Sequence, residues 1–173
     1  MSLFRSLADW IDRLTTAIGR SVAWLALFVV LLQFALVIAR YFLDYGSIRL
    51  SETVIYGHAA LFLFAAAWTL KAGGHVRVDV FYAHAAPRTR ALVDFVGAIL
   101  LLLPFASVLL WLSIPFAARS WAILEGSQEM SGLPLVFVLK SFIPLFAALM
   151  ALQGVSQAIR AWIVLRDDSG LVR

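Results

Sequence analysis

Long apolar blocks separated by short polar connections set the pattern of the chain. Four blocks are uncharged or nearly so: Ser21 to Ala39, Thr53 to Leu70, Phe95 to Ala118, and Met130 to Ile159, the last interrupted by Lys140. A helix rises 1.5 Å per residue, so about 20 residues cross the roughly 30 Å hydrocarbon layer. The blocks therefore predict transmembrane helices over about residues 21–40, 52–71, 92–118 and 134–159. Strands are excluded because lipid leaves an open sheet edge without partners, and a barrel would alternate polar with apolar residues. The run LALFVVLLQFALVIA in the first block does not alternate. The expected fold class is an all-α integral membrane protein, a single four-helix membrane domain over residues 1–173.

Ahead of the first block, Leu3, Leu7, Trp10, Ile11, Leu14 and Ile18 recur at helical spacing, while Arg5, Asp9, Asp12 and Arg13 take the other side. The spacing predicts an amphipathic interfacial helix over residues 3–19, flat among the headgroups, with Trp10 as its interfacial ring and Gly19 as a bend. A straight extension of the first span is the alternative. The connection from Lys71 to Asp94 opens with the pair Gly73–Gly74, which can stop a helix, and carries Pro87 near the start of the third span. Ser51 reads as a cap for the second span, with Glu52 at the helix's positive end.

Composition removes the soluble alternative, since 63% of the 173 residues are hydrophobic and 14% charged, against about half apolar and a quarter charged in soluble domains. With no cysteine, disulfides, thiolate metal sites and thiol chemistry are excluded together. The net charge of +4 forms no basic stripe with interleaved aromatics, so no nucleic-acid partner is expected. The basic residues sort by connection instead. Arg5, Arg13, Arg20, Lys71, Arg77, Arg88, Arg90, Arg160, Arg166 and Arg173 fall on the side of the N-terminus, and Arg40, Arg49 and Arg119 on the other. That bias predicts both termini in the cytoplasm. A cleaved leader is not expected, because the first block is too long for a signal core and Arg40–Tyr41–Phe42 offers no small-residue cleavage site.

Catalytic signatures such as HExxH, GxSxG with a partner histidine, and the nucleotide-binding glycine loops are missing, so no enzyme, metal or cofactor is expected. The intramembrane polar candidates are Gln33, His58 and Lys140. A glutamine within a span can cross-link helices. His58 reads either as a proton relay or as a neutral histidine bonded to a carbonyl or a partner helix. Lys140 reads as a snorkelling side chain paired with Glu125, Glu129 or an acidic lipid, or as a gating charge. Glu52 is read either as interfacial anchoring or as part of a polar docking surface. In His75–Val76–Arg77–Val78–Asp79, polar groups fall at every second position, on one side of an extended segment, whereas in a helical turn His75 and Asp79 would meet, and either geometry can tie a loop to a neighbouring surface. The spans lack both a polar path and the inverted repeat common in secondary carriers, so the chain reads as a scaffold or accessory subunit.

Glu52 opening a span, Tyr56–Gly57 through Trp68, and then Lys71–Ala72–Gly73–Gly74–His75–Val76–Arg77–Val78–Asp79 together resemble the small permease (Q) subunit of the tripartite ATP-independent periplasmic (TRAP) transporters. The resemblance implies a multi-pass protein of the bacterial inner membrane, set in membrane lipids. Its implied partners are a large permease (M) subunit and a periplasmic substrate-binding protein (P). It further implies that the large subunit moves an organic acid with an ion gradient, sodium in such systems, while the small one braces it. On that resemblance Glu52, His75, Arg77 and Asp79 serve assembly or local folding. The family often carries two adjacent acids where this chain has Ser51 and Glu52. Two other readings compete. An autonomous four-helix transporter would place an acid inside the first span, and a redox-enzyme anchor would pair intramembrane histidines for haem, whereas His58 stands alone.

Overall fold

The computed structural model describes residues 1–75, 82 and 85–167, and its described residues are helical apart from short connections. Helix α1 covers Ser2–Phe42, α2 Ile48–Lys71, α3 Pro87–Gly97, α4 Leu103–Ala122 and α5 Val136–Asp167. A π-helical turn, Ala98–Leu102, joins α3 to α4 without a break. Four units are long and apolar enough to cross a membrane, with α3, the π turn and α4 acting as one.

Helix α5 is the hub, packing against α1, α2, α3 and α4, while α1 and α2 form an antiparallel hairpin beside it. Small residues occupy the crossings. Ala67 of α2, Ala106 of α4 and Met150 of α5 form the buried centre, with Leu70, Leu102, Phe146 and Leu149 packed around them. Between apolar helices in lipid, association depends on such close packing, because the tails are as apolar as the side chains they would leave. A Cβ at Gly154 would stand 3.0 Å from Leu102, so the glycine lets α5 approach the π turn.

The helix boundaries have local causes. The Ser47 hydroxyl accepts the Leu50 N–H at 3.4 Å and caps α2, so the cap is one turn earlier than Ser51, whose hydroxyl donates to the Ser47 carbonyl. Helix α2 ends where Gly73 turns to φ 69°, a left-handed conformation that glycine adopts without steric cost. The N–H groups of Gly73 and Gly74 then return to the carbonyls of Leu70 and Thr69. Pro87 opens α3, where the missing amide hydrogen is of no consequence.

The first helix corrects one expectation. The helix is uninterrupted at Gly19, and residues 3–19 continue into the first span as one helix of 41 residues. A Cβ on Gly19 would lie 2.5 Å from the Cβ of Trp68, so the glycine serves a helix–helix contact. Ala8, Ile11, Asp12 and Thr15 are buried on the same side, while Leu3, Leu7 and Trp10 are exposed. The segment thus turns a carboxylate toward the bundle and apolar side chains away from it, the reverse of the sequence expectation for Asp12.

Candidate functional site

Polar side chains gather at the two ends of the bundle. At the end carrying Ser2 and Asp167, Asp12 of α1 is 7% exposed and accepts from three residues of α5. Ser156 Oγ donates at 2.7 Å, Gln153 Nε2 at 3.1 Å, and Arg160 Nε and Nη2 at 2.9 and 2.5 Å. Gln153, Ser156 and Arg160 recur every three or four residues and so share one face of α5. Arg160 also reaches Asp9 at 2.8 Å. Lys71, ending α2, donates to the Asp12 carbonyl at 3.1 Å and to Thr16 Oγ1 at 2.6 Å. Three helices are thereby fastened at one level, and the buried carboxylate is compensated, as a low-dielectric setting requires.

Sequence reasoning missed this cluster. The available signal was the stripe Ala8, Asp12, Thr15, Gly19, whose small and polar members lie along one helix face, together with the matching polar stripe on α5.

At the opposite end, Glu52 in the first turns of α2 holds the connection between α4 and α5. Ser127 Oγ donates to Glu52 Oε1, and the Leu133 N–H donates to Oε2 at 2.5 Å. Arg49 Nε donates to the Ser131 carbonyl at 3.2 Å. A Cβ at Gly132 would collide with Ser127 and stand 2.8 Å from Glu52 Oε1, so the loop fits closely around the carboxylate. Beside it, Glu125 accepts from Lys140 Nζ at 2.5 Å and Ser120 Oγ at 2.6 Å. Lys140 lies 4.6 Å from the centre of the Phe116 ring, and Trp121 donates to Ser141 Oγ at 2.7 Å while its ring meets Phe137. Of the possible partners named for Lys140, the structure gives it Glu125.

The hydrogen bond from Lys140, with that from Ser120, holds the Glu125 carboxyl below the ordinary glutamate range. A depressed folded value means that its contribution is complete above the unfolded pKa and fades as pH falls through the folded one. In carboxyl-labelled protein, the Glu125 carbon resonance is expected to titrate below those of free glutamate, and Lys140→Met is expected to raise its midpoint. A midpoint unmoved by that substitution would show that the pair exerts no hold.

The remaining sequence candidates are dispersed. Gln33 is exposed on α1 and lines a hollow of about 500 Å³ with Arg40, Tyr41, Tyr45 and Ser51. His58 is exposed on α2, with no hydrogen bond among the described residues. His75 is exposed just beyond the Gly73 turn, whereas Arg77 and Asp79 lie outside the described residues. Among the described residues no group of three or more His, Asp or Glu side chains could hold a metal ion.

The geometry thus consists of two polar ties at the ends of apolar helices. No curated protein and no solved structure matches the chain. A family model does match, over residues 29–163, and its description is "Tripartite ATP-independent periplasmic transporters, DctQ component". That match covers well over half of the sequence and takes in the hairpin partner of α1, the contacts of Glu52 and most of the hub helix, so the chain belongs to the DctQ family, the small permease subunits of TRAP transporters.

Proposed function

We propose that this chain is the fixed brace of a binding-protein-dependent importer, and that the large permease it supports carries an organic acid, such as a carboxylate, with an ion gradient, sodium being the expected ion. DctQ-family proteins are non-catalytic multi-pass subunits of the inner membrane and associate with DctM, the large permease, and DctP, the substrate-binding protein. The observation that carries the brace reading is the use of the polar groups. Asp12, Glu52, Glu125, Lys140 and Arg160 are spent on fastening helices and a loop of this chain to one another. A substrate path needs polar groups that replace hydration along its length. In contrast, the most apolar stretch of α1 buries none of its residues within the chain, which suits a face covered by lipid and by a larger partner.

In this reading both termini are cytoplasmic, supported by the bias of basic residues. The apolar side chains of Leu3, Leu7 and Trp10 are exposed on the continuation of the span. Glu52 and its loop face the periplasm, where they can form part of a docking surface, with the His75, Arg77 and Asp79 stretch serving assembly on the other side. Neither Gln33 nor His58 has a transport role in a brace. Gln33→Leu and His58→Leu should lower uptake only in proportion to any loss of assembled complex. Uptake abolished in a complex assembled at normal yield would overturn the structural reading.

A further inference from the structure

Where α1 passes the end of α2, a hollow of about 760 Å³ is lined by Asp9, Asp12, Arg13, Thr16, Ala17, Arg20, Lys71 and Arg160. The charges in it are unequal in their commitments. Asp9 and Asp12 are both engaged by Arg160. Lys71 donates to two neutral oxygens and is paired with no carboxylate among the described residues. Arg13 and Arg20 are exposed and have no ion pair or hydrogen bond among them. Three cations with no carboxylate of their own among the described residues therefore border one opening, and two of them, Arg13 and Arg20, precede the apolar block that begins at Ser21.

We infer that this hollow is a binding site for the headgroup of an anionic phospholipid. Arg13, Ala17 and Arg20 recur at three- and four-residue steps, and so share one face of α1. The same face continues as Trp24, Leu27 and Leu31, all more than half exposed. A phosphodiester seated against the two guanidinium groups and the Lys71 ammonium would lay its acyl chains along this apolar stripe. A guanidinium matches a phosphate oxygen pair with parallel N–H donors, and a tryptophan at headgroup depth suits the polar–apolar boundary. A soluble anion would use the cations and leave the stripe unused. The acyl chains are what the second half of the site recognises.

The test uses the full chain, together with any large permease that accompanies it, delipidated in mild detergent and titrated by native mass spectrometry. The probes are dioleoylphosphatidylglycerol and dioleoylphosphatidylcholine, with inorganic phosphate in large excess as competitor. The expected result is preferential retention of phosphatidylglycerol, undisturbed by inorganic phosphate and weakened about 30-fold in Arg13→Gln/Arg20→Gln. The charge-matched pair Arg40→Gln/Arg119→Gln, at the other end of the bundle, should leave it unchanged. If the first double variant does not fold, each single replacement should weaken retention about fivefold. Equal retention of the two lipids, unchanged retention in the Arg13 and Arg20 variants, equal loss in the control pair, or displacement by inorganic phosphate would each overturn the inference.

Discussion

Asp12→Ala is expected to destabilise the full chain by about 3 kcal/mol, because it takes the carboxylate from two buried donors, one of which keeps only a 3.3 Å bond to the Ala8 carbonyl, and an unsatisfied buried donor costs roughly 1–3 kcal/mol. Those donors are Ser156 Oγ and Gln153 Nε2, whose residues are 0% and 3% exposed. Arg160 contributes less to the loss, since its side chain is about half exposed and keeps Asp9. Asp12→Asn preserves the shape and one acceptor oxygen, so it should fall between wild type and alanine. Asp9→Ala removes only an exposed pair and should cost no more than about 1 kcal/mol. Thermal unfolding in one detergent, followed by helical circular dichroism, ranks the three variants. An Asp12→Ala protein that melts with wild type would mean that the α1–α5 tie holds nothing.

Gly19 should give the second large effect. A side chain there would place its Cβ 2.5, 2.6 and 2.8 Å from three atoms of Trp68. Two of these are the Cβ and Cγ at the root of the side chain, so rotation of the indole cannot relieve the clash. The helices must separate, and Gly19→Ala is expected to destabilise the hairpin by about 1–3 kcal/mol, the usual cost of overpacking. Gly97 supplies the contrast, since a Cβ there meets nothing within 4 Å. Gly97→Ala should be neutral or stabilise by up to about 1 kcal/mol through helix propensity. Equal melting of the two variants would contradict the close α1–α2 contact.

These two residues also mark the limit of what the sequence discloses. Each of the four apolar blocks falls in its own membrane-length helical unit, except that residues 130–135 of the last belong to the connection before α5, because an uncharged run of that length has no other stable solution in lipid. Pro87 and the Gly73–Gly74 pair mark helix boundaries for equally local reasons. Gly19 is ambiguous in the sequence for a physical reason: the absence of a Cβ permits a bend and a close contact alike, and the partner that decides, Trp68, lies far away in sequence. The helical spacing sets Asp12 with Arg5, Asp9 and Arg13 on the polar side of the segment. The partners of Asp12 belong to the last helix and become visible only when α1 and α5 are placed together. Glu52 was legible as a helix-opening acid, but its hold on Ser127 and Leu133 was not, since one ligand is a backbone amide that no side-chain pattern encodes.

In the brace reading proposed above, the two ties let a chain so apolar act as a rigid part. The Asp12 cluster joins α1, α2 and α5 at one end, and the Glu52 and Glu125 contacts secure the α4–α5 connection at the other. Between them, packing relies on alanine, glycine and methionine, leaving broad outward faces without polar demands. Those faces are what a brace offers to a larger membrane partner.

The most direct measurement is to tag this chain in its native membrane, extract it in mild detergent, and identify and count what copurifies. The account predicts one large permease per chain, with Asp12→Ala reducing recovery of that complex. Recovery only with further copies of itself would contradict the account, and would make His58 and Lys140 the residues to examine for transport.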